Sequence, residues 1–384
     1  MATDRELSVV GSTFTGMDLT ATTADLAAAA ADVARLLPTR VYDPVLAGLV
    51  LRASASGVEL AGSDREHAVR LTRAATVHTD GAVVVPARPL ADTLRGLEDP
   101  QVRLVVEGSR LAIRTSTARF ALPLLDLASH PGIPPLPPAV GALPSRTLTA
   151  ALTPVSSAAS KDDALPMFTG VRMHSAPGGR LELIATDRYR MAFASLPWSP
   201  TGELDVLAPA VVLAEASRQP DREAEVTVHA DADRIALSWP GGSVSTALLA
   251  APFPDDRVRK LLEAVIDSMV VVEADVLAGA VRRAVPYAGP HGSVTIQVDD
   301  GELRVRGSDP QSGESEESVK ATIDGNRVTK TFQAKYLSDA LRAFSGRRVE
   351  LRIQDGLRST VLTSQAGPDG VELTYLVVPL RTVS

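Results

Sequence analysis

The 384-residue chain contains no cysteine, which removes disulfides, thiolate nucleophiles and Cys-based metal sites in one step. Aromatic residues are scarce at 4%, so its cores must be built from Leu, Val, Ile and Ala. Lysine is nearly missing: 34 of the 39 basic residues are Arg, which with abundant Ala, Pro and Gly is the usage of a GC-rich genome. No run of eighteen apolar residues occurs, so no membrane-spanning helix is expected. The start, Met1-Ala-Thr-Asp-Arg-Glu6, shows no signal peptide. A cytoplasmic protein without a membrane partner is the expectation.

Catalytic signatures are missing as well. There is no Gly-rich phosphate loop, no His-Glu-x-x-His and no Gly-x-Ser-x-Gly elbow. The six histidines, at 67, 78, 130, 174, 229 and 291, are scattered with no pair at ligand spacing. Glu314, Glu316 and Glu317 cluster, and a solvated loop accounts for them better than a metal site. The chain is therefore read as a non-enzyme with no catalytic residue, no metal and no cofactor. A formal net charge of −7 also weighs against a protein that grips nucleic acid by its outer surface, because neutralising phosphates takes Lys and Arg.

What is present is repetition. A strand ending in a polar turn occurs three times, as Val58-Glu-Leu-Ala-Gly-Ser-Asp64, Leu181-Glu-Leu-Ile-Ala-Thr-Asp187 and Leu303-Arg-Val-Arg-Gly-Ser-Asp309. Its terminal Asp residues lie 123 and 122 positions apart. Val85-Pro-Ala-Arg-Pro-Leu90, Ala208-Pro-Ala-Val-Val-Leu213 and Phe332-Gln-Ala-Lys-Tyr-Leu337 repeat at 123 and 124. Asp43-Pro-Val-Leu-Ala-Gly48 resembles Leu165-Pro-Met-Phe-Thr-Gly170, with the glycines 122 apart. Three domains of similar fold follow, expected at 17–138, 143–262 and 268–384. The first boundary is the stiff stretch His130-Pro-Gly-Ile-Pro-Pro-Leu-Pro-Pro138 and the second lies near Ala251-Pro-Phe-Pro-Asp-Asp256.

Within each repeat the pattern predicts a helix, strands, a second helix and more strands. The first helix, Asp25 to Leu37, carries Leu26, Ala30, Val33 and Leu37 at steps of three and four until Pro38 stops it, and Thr22 with Asp25 offers a capping-box variant. Its counterparts are expected over 145–160 and 274–288. Strands alternate with period two, as in Arg103-Leu-Val-Val-Glu107 and Val349-Glu-Leu-Arg-Ile-Gln354. Turns at Glu107-Gly-Ser109 and Gln354-Asp-Gly356 favour antiparallel pairing. The equivalent placement of Asp64, Asp187 and Asp309 marks them as turn residues that bond backbone amides. The fold class is α+β, antiparallel and triplicated, with two helices per domain.

Thr186-Asp187-Arg188-Tyr189-Arg190-Met191, Phe253-Pro254-Asp255 and Tyr375-Leu-Val-Val-Pro-Leu-Arg381 together resemble the bacterial DNA polymerase III beta subunit, the sliding clamp, in its order and spacing from Met17 onward. The resemblance is to a divergent, actinobacterial member. It implies the DNA-clamp fold, with each chain forming half of a six-domain ring as a homodimer. Such a ring encircles double-stranded DNA, so the net charge is no objection: closure does the holding. It implies nucleoid-associated localisation and partners that are DNA polymerase, clamp-loader and repair proteins, docking short peptides in a pocket between domains two and three. A pocket-binding small-molecule or peptide inhibitor is a further expected ligand.

By resemblance the pocket residues are Phe168, Thr186, Arg188, Tyr189, Arg190, Met191, Pro254, Val377, Val378, Pro379, Leu380 and Arg381. The alternative for Val377–Leu380 is a buried final strand. The DNA channel would use Arg40, Arg35, Arg146, Lys161, Arg282 and Arg283, and the dimer interface Phe120 and Leu122 against Pro286 and Tyr287. Pro286 departs from the family's aliphatic residue and distorts a helix. Arg259 stands where the pocket usually has an apolar side chain. Residues 1–16 precede the family's usual start and are expected to be a disordered extension. A processivity clamp is the leading reading. The alternative is a divergent paralogue acting in repair, or as a resistant substitute or decoy for a main clamp whose pocket an inhibitor targets.

Overall fold

Three times along the chain a strand runs straight into a helix: Asp18–Thr22 into α1 (Thr23–Leu36), Ala139–Pro144 into α3 (Ser145–Ser157), and Ser268–Glu273 into α5 (Ala274–Ala284). The second helices are α2 (Ala87–Arg95), α4 (Ala210–Ala216) and α6 (Ala334–Arg342), again each following a strand. This is a computed structural model that describes residues 16–39, 41–254, 261 and 266–381. Arg40, residues 1–15 and Arg259 lie outside the described residues.

A helix has four N-terminal amides without intrahelical partners, and side-chain caps usually satisfy one. None of these six helices has such a cap; Thr22 makes no capping hydrogen bond, so the expected capping box does not form. A strand approaching the helix start supplies a main-chain acceptor instead. The amides of Thr23, Ser145 and Ala274 donate to the carbonyls of Pro100, Ala224 and Arg347 at 3.0, 2.8 and 3.0 Å. Those carbonyls themselves recur at the repeat period. In α4 and α6, Ala210 and Ala334 donate likewise to Thr169 and Gly292. Backbone geometry thus performs the capping, which frees the sequence at these positions.

The chain separates into two compact units. The first comprises residues up to 136 together with 240–245. It holds a five-stranded antiparallel sheet ordered 76–79, 18–22, 101–107, 110–114, 119–123, and adjoining strands 67–73, 57–63, 48–54 and 81–86. The stripe Leu26, Ala30, Val33 and Leu37 is buried as predicted. Gly62 lets α1 approach its strand, since a Cβ there would lie 2.8 Å from Leu37 Cδ1 and 3.1 Å from Val33 Cγ1.

The second unit spans 137–239 and 246–384. Its central feature is a nine-stranded antiparallel sheet ordered 205–209, 170–176, 180–186, 190–197, 372–377, 360–363, 348–353, 268–273, 322–325. Strand 190–197 pairs with 372–377 from Arg190↔Val377 through Ser195↔Glu372, so the last strand of the third repeat continues the sheet of the second. A four-stranded sheet, 313–320, 302–309, 293–299, 329–333, completes the third repeat's strands.

Three readings need correction. The third repeat's first helix stops at Ala284 rather than Ala288, with Pro286 in a short 3-10 turn over Val285–Tyr287. Proline has no amide to donate and its ring crowds the carbonyl four residues back. Glu314, Glu316 and Glu317 stand on strand Gly313–Lys320, not in a loop. At Gln354-Asp-Gly356 the connection is longer than a tight hairpin, because Ile353 pairs with Thr360.

The repeated aspartates do act as turn residues. Asp64 accepts from the amides of Glu66 and His67, Asp187 from Tyr189 and Arg190, and Asp309 from Gln311 and Ser312. Asp64→Ala removes two such bonds and is expected to cost about 1–2 kcal/mol. Asp64→Asn, which keeps an acceptor oxygen, should lose less than half of that in denaturant unfolding; equal losses would show that the carbonyl-type acceptor is not what matters.

Candidate functional site

The turn after strand Arg180–Thr186 is where the second repeat departs from the other two. Thr186 Oγ1 accepts from the Arg188 amide at 3.1 Å and donates to the Arg190 carbonyl at 2.7 Å, closing the turn with Asp187. Arg188 sits at φ 79°, and Arg65 in the first repeat at φ 83°, so the left-handed residue after Asp belongs to the turn itself. The Arg188 guanidinium lies over the rings of Phe168 and Tyr189, at 5.9 and 5.8 Å from their centroids. Tyr189 stacks on Tyr336 of α6 with centroids 6.0 Å apart.

Arg190, only 5% exposed, ties this turn to the helix layer. Its Nε reaches Asp187 at 3.1 Å and its Nη1 reaches Asp339 of α6 at 2.5 Å, while its guanidinium lies 4.8 Å from the Tyr336 centroid. Burial works against its charge, but Tyr375, Asp339 and Asp187 outweigh that and hold its pKa above the ordinary value. Burial likewise pushes the Tyr375 hydroxyl up, where it lies 3.4 Å from Ser157 Oγ. Asp339 is shared: its other oxygen accepts from Arg342 at 3.0 Å.

Beside this turn lies an apolar cavity of about 320 Å³ lined by Met167, Phe168, Thr186, Arg188, Arg190, Met191, Pro254, Leu261, Leu376 and Val378. Beneath it Ile184, Met191, Val361 and Leu376 form a buried cluster, with Phe193, Phe253 and Val378 packed on it. Period-two alternation accounts for the selection. Leu376 and Val378 line the cavity, whereas Tyr375 and Val377, at the alternate positions of the strand, do not. Seven of the twelve residues expected in the pocket line this cavity: Phe168, Thr186, Arg188, Arg190, Met191, Pro254 and Val378. Tyr189 stands beside it, half exposed. Val377 is a buried strand residue, so the final-strand alternative holds for it; Pro379 is buried, and Leu380 and Arg381 do not line the cavity. Met167, Leu261, Leu376 and Tyr336 were not foreseen. Leu376 was legible as the neighbour two before Val378; Tyr336 was not, since only the fold brings α6 to the turn.

The expected channel cations are less concentrated. Arg146 lines a cleft of about 780 Å³ at α3, α4 and α6 with Arg218, Arg222, Arg342 and Arg347, offset by Asp339 and Asp369. Arg146 itself contacts Glu223 at 2.8 Å and Asp369 at 3.2 Å. Arg35 pairs with Asp32 on α1, Arg283 pairs with Glu317, and Lys161 and Arg282 are exposed. Of the expected dimer residues, Phe120 is 43% exposed and shares strand Arg119–Pro123, at a sheet edge, with Leu122. Pro286 and Tyr287 occupy the 3-10 turn after α5, beside strands 302–309 and 313–320, the latter also a sheet edge. Among the described residues no His, Asp or Glu cluster could hold a metal, and no helix is long and apolar enough to cross a membrane.

A thrice-repeated α+β unit with sheets extended by strand pairing and an apolar cavity beside the repeat-two turn defines a clamp-type scaffold. Family comparison is direct: residues 17–134, 142–255 and 259–381 match the N-terminal, central and C-terminal domains of the DNA polymerase III beta subunit, and the chain belongs to that sliding-clamp family. It is 29% identical over 371 residues to the beta sliding clamp of Streptomyces coelicolor, covering 93% of this chain and 97% of that one. It is 28% identical over 357 residues to the beta sliding clamp homolog GriR of Streptomyces muensis, covering 91% and 95%. In fold it is similar to the Pseudomonas aeruginosa sliding clamp bound to griselimycin, with a TM-score of 0.83, 24% identity, and 96% and 100% of the two chains covered.

Arg190→Met leaves Asp187 and Asp339 without their buried cation, and about 3 kcal/mol of destabilisation is expected. Arg283→Met, whose pair with Glu317 is 56% and 37% exposed, should leave the unfolding midpoint nearly unchanged. Urea unfolding of both variants checks the contrast, which disappears if Arg190 is not the buried tie between turn and helix.

Proposed function

We propose that this chain is a processivity clamp. Two copies close head to tail around duplex DNA, and partner proteins insert short peptides into the cavity at the junction of repeats two and three. The repeats are placed at 17–138, 143–262 and 268–384. The observation that carries the reading is the 320 Å³ cavity, an apolar recess rimmed by a half-exposed tyrosine and an arginine, in a protein of the sliding-clamp family. Apolar anchors in a partly desolvated recess are where peptide affinity concentrates.

Ring closure is supported by the two sheet edges. Strand Arg119–Pro123 and its neighbour carry Arg110, Arg114 and Arg119, of which the last two share Glu107, and strand Gly313–Lys320 carries Glu314, Glu316 and Glu317, of which the last two pair with Arg306 and Arg283. Edges of opposite charge suit antiparallel addition between copies and disfavour like-with-like pairing. The arginine cleft at α3, α4 and α6 fits a channel that slides on phosphates, because its cations are partly offset by acids and hold no single position tightly.

A second reading is a paralogue standing in for a main clamp blocked by an inhibitor. Pro286 at the proposed closure motivates it, beside the similarity to a protein named a beta sliding clamp homolog. Both readings share the ring and the cavity.

Sedimentation at micromolar concentration should give a dimer, and Phe120→Asp a monomer; a wild-type monomer would defeat the ring. Val378→Asp should weaken binding of an apolar clamp-binding peptide more than tenfold by placing a charge against Met191 and Leu376. Retention on nicked circular DNA after loading, lost on linearisation, is the expected sign of topological holding, and retention on linear DNA would count against it.

A further inference from the structure

A lysine occupies a core position of the third repeat. Strand 329–333 alternates in burial, and its inward row is Lys330 and Phe332, opposite Ile296 and Val294 of the neighbouring strand. Lys330 is 4% exposed, at a place where the period-two pattern calls for an apolar side chain. Among the described residues no carboxylate lies within ion-pair distance of its ammonium. The group donates instead to two main-chain carbonyls, those of Gly356 and Arg358, the latter at 3.3 Å. Both belong to the connection between strands 348–353 and 360–363 of the nine-stranded sheet, whereas Lys330 stands on the four-stranded one. Gly356, at φ 63°, lets carbonyls two residues apart converge on one donor.

The lysine is an expensive way to fill this row. Burial outweighs the pull of Asp355 and Asp267 and holds its pKa below the ordinary value, so the fold works against the charge it contains. A methionine would occupy the row without that penalty. What the lysine adds is geometry: one side chain fixes the backbone on both sides of Leu357. Two other contacts shape the connection, Gln354 Nε2 donating to the Ser359 carbonyl at 3.0 Å and the Asp355 amide donating to Asp267 at 2.5 Å. We infer that Lys330 is a latch that fastens the 354–359 connection to the four-stranded sheet, so that opening of this segment is governed by one side chain rather than by the stability of the core. The connection runs into Thr360, which pairs with Val377, so the latch sets the order of one flank of the junction between repeats two and three. The inference depends on neither the ring nor the docking reading.

The test uses the full-length protein and trypsin, which cleaves after Arg358. In Lys330→Met this cleavage should be about tenfold faster than in wild type, and the Asp355 amide should exchange faster by a similar factor, as loss of one charge-assisted hydrogen bond requires. The urea midpoint should hold or rise, because the buried charge is gone. The Leu380 amide, which donates to the Thr331 carbonyl at 2.7 Å, should keep its exchange rate and show that strand 329–333 stays in place. Lys330→Arg, which keeps donors, should restore part of the protection. Unchanged cleavage in Lys330→Met overturns the inference, and so does faster cleavage with a lower midpoint or a failure to fold, which mark an ordinary core contact. Wild type supplies an independent check by NMR: the Lys330 ammonium hydrogens should exchange slowly enough to be seen, unlike those of exposed Lys161, Lys320 and Lys335. Equally fast exchange at Lys330 would also overturn the latch.

Discussion

Strand 190–197 hydrogen-bonds along its length to strand 372–377, and this pairing makes one sheet of what the chain encodes in two repeats. The cavity exists because the pairing does: Met191 and Leu376 are cross-strand partners, and Ile184 and Val361 extend the same apolar face to either side. Arg190 sits at the end of this junction, paired in register with Val377, and carries the connection through the sheet to Asp339 on α6. A surface assembled from paired strands and tied by a buried ion pair holds its side chains at fixed spacing, the condition under which any binding has a low ordering cost.

The repeats share a backbone solution more than a set of side chains. Incoming carbonyls from Pro100, Ala224 and Arg347 cap three equivalent helices, and three aspartates close equivalent turns. Function enters where one copy does more. Asp64 and Asp309 serve their turns' amides, whereas Asp187 also holds Arg190, and the residues around it are Phe168, Arg188 and Tyr189. The second copy of the turn carries aromatic and cationic neighbours while its Asp accepts the same pair of backbone amides as in the other two.

Much of the fold was legible because periodicity is a local property. The α1 stripe, the Asp turns and the 122–124 spacing could be read directly, and all three appear in the structure. The candidate site was legible in part. Thr186, Arg188, Arg190, Met191 and Pro254 line one recess, but Val377 was grouped with Val378 although consecutive strand residues face opposite ways. The capping box at Thr22 does not form, and the helix start is met instead by the carbonyl of Pro100, far along the chain. The helix predicted to Ala288 was cut short by Pro286, a local effect that its residue type did announce.

By itself the sequence determined the repeat, the order of strands and helices and the turn chemistry, since each depends on residue type at short spacing. Only the tertiary structure decided that the final strand of the third repeat joins the second. That join brings Tyr336 and Asp339 to the turn at 187–190 and separates the paired Arg190 from the unpaired Arg188. The physical reason is that strand partnership is set by long-range packing of two-faced sheets, and a residue's charge environment is set by that partnership rather than by its neighbours in the chain.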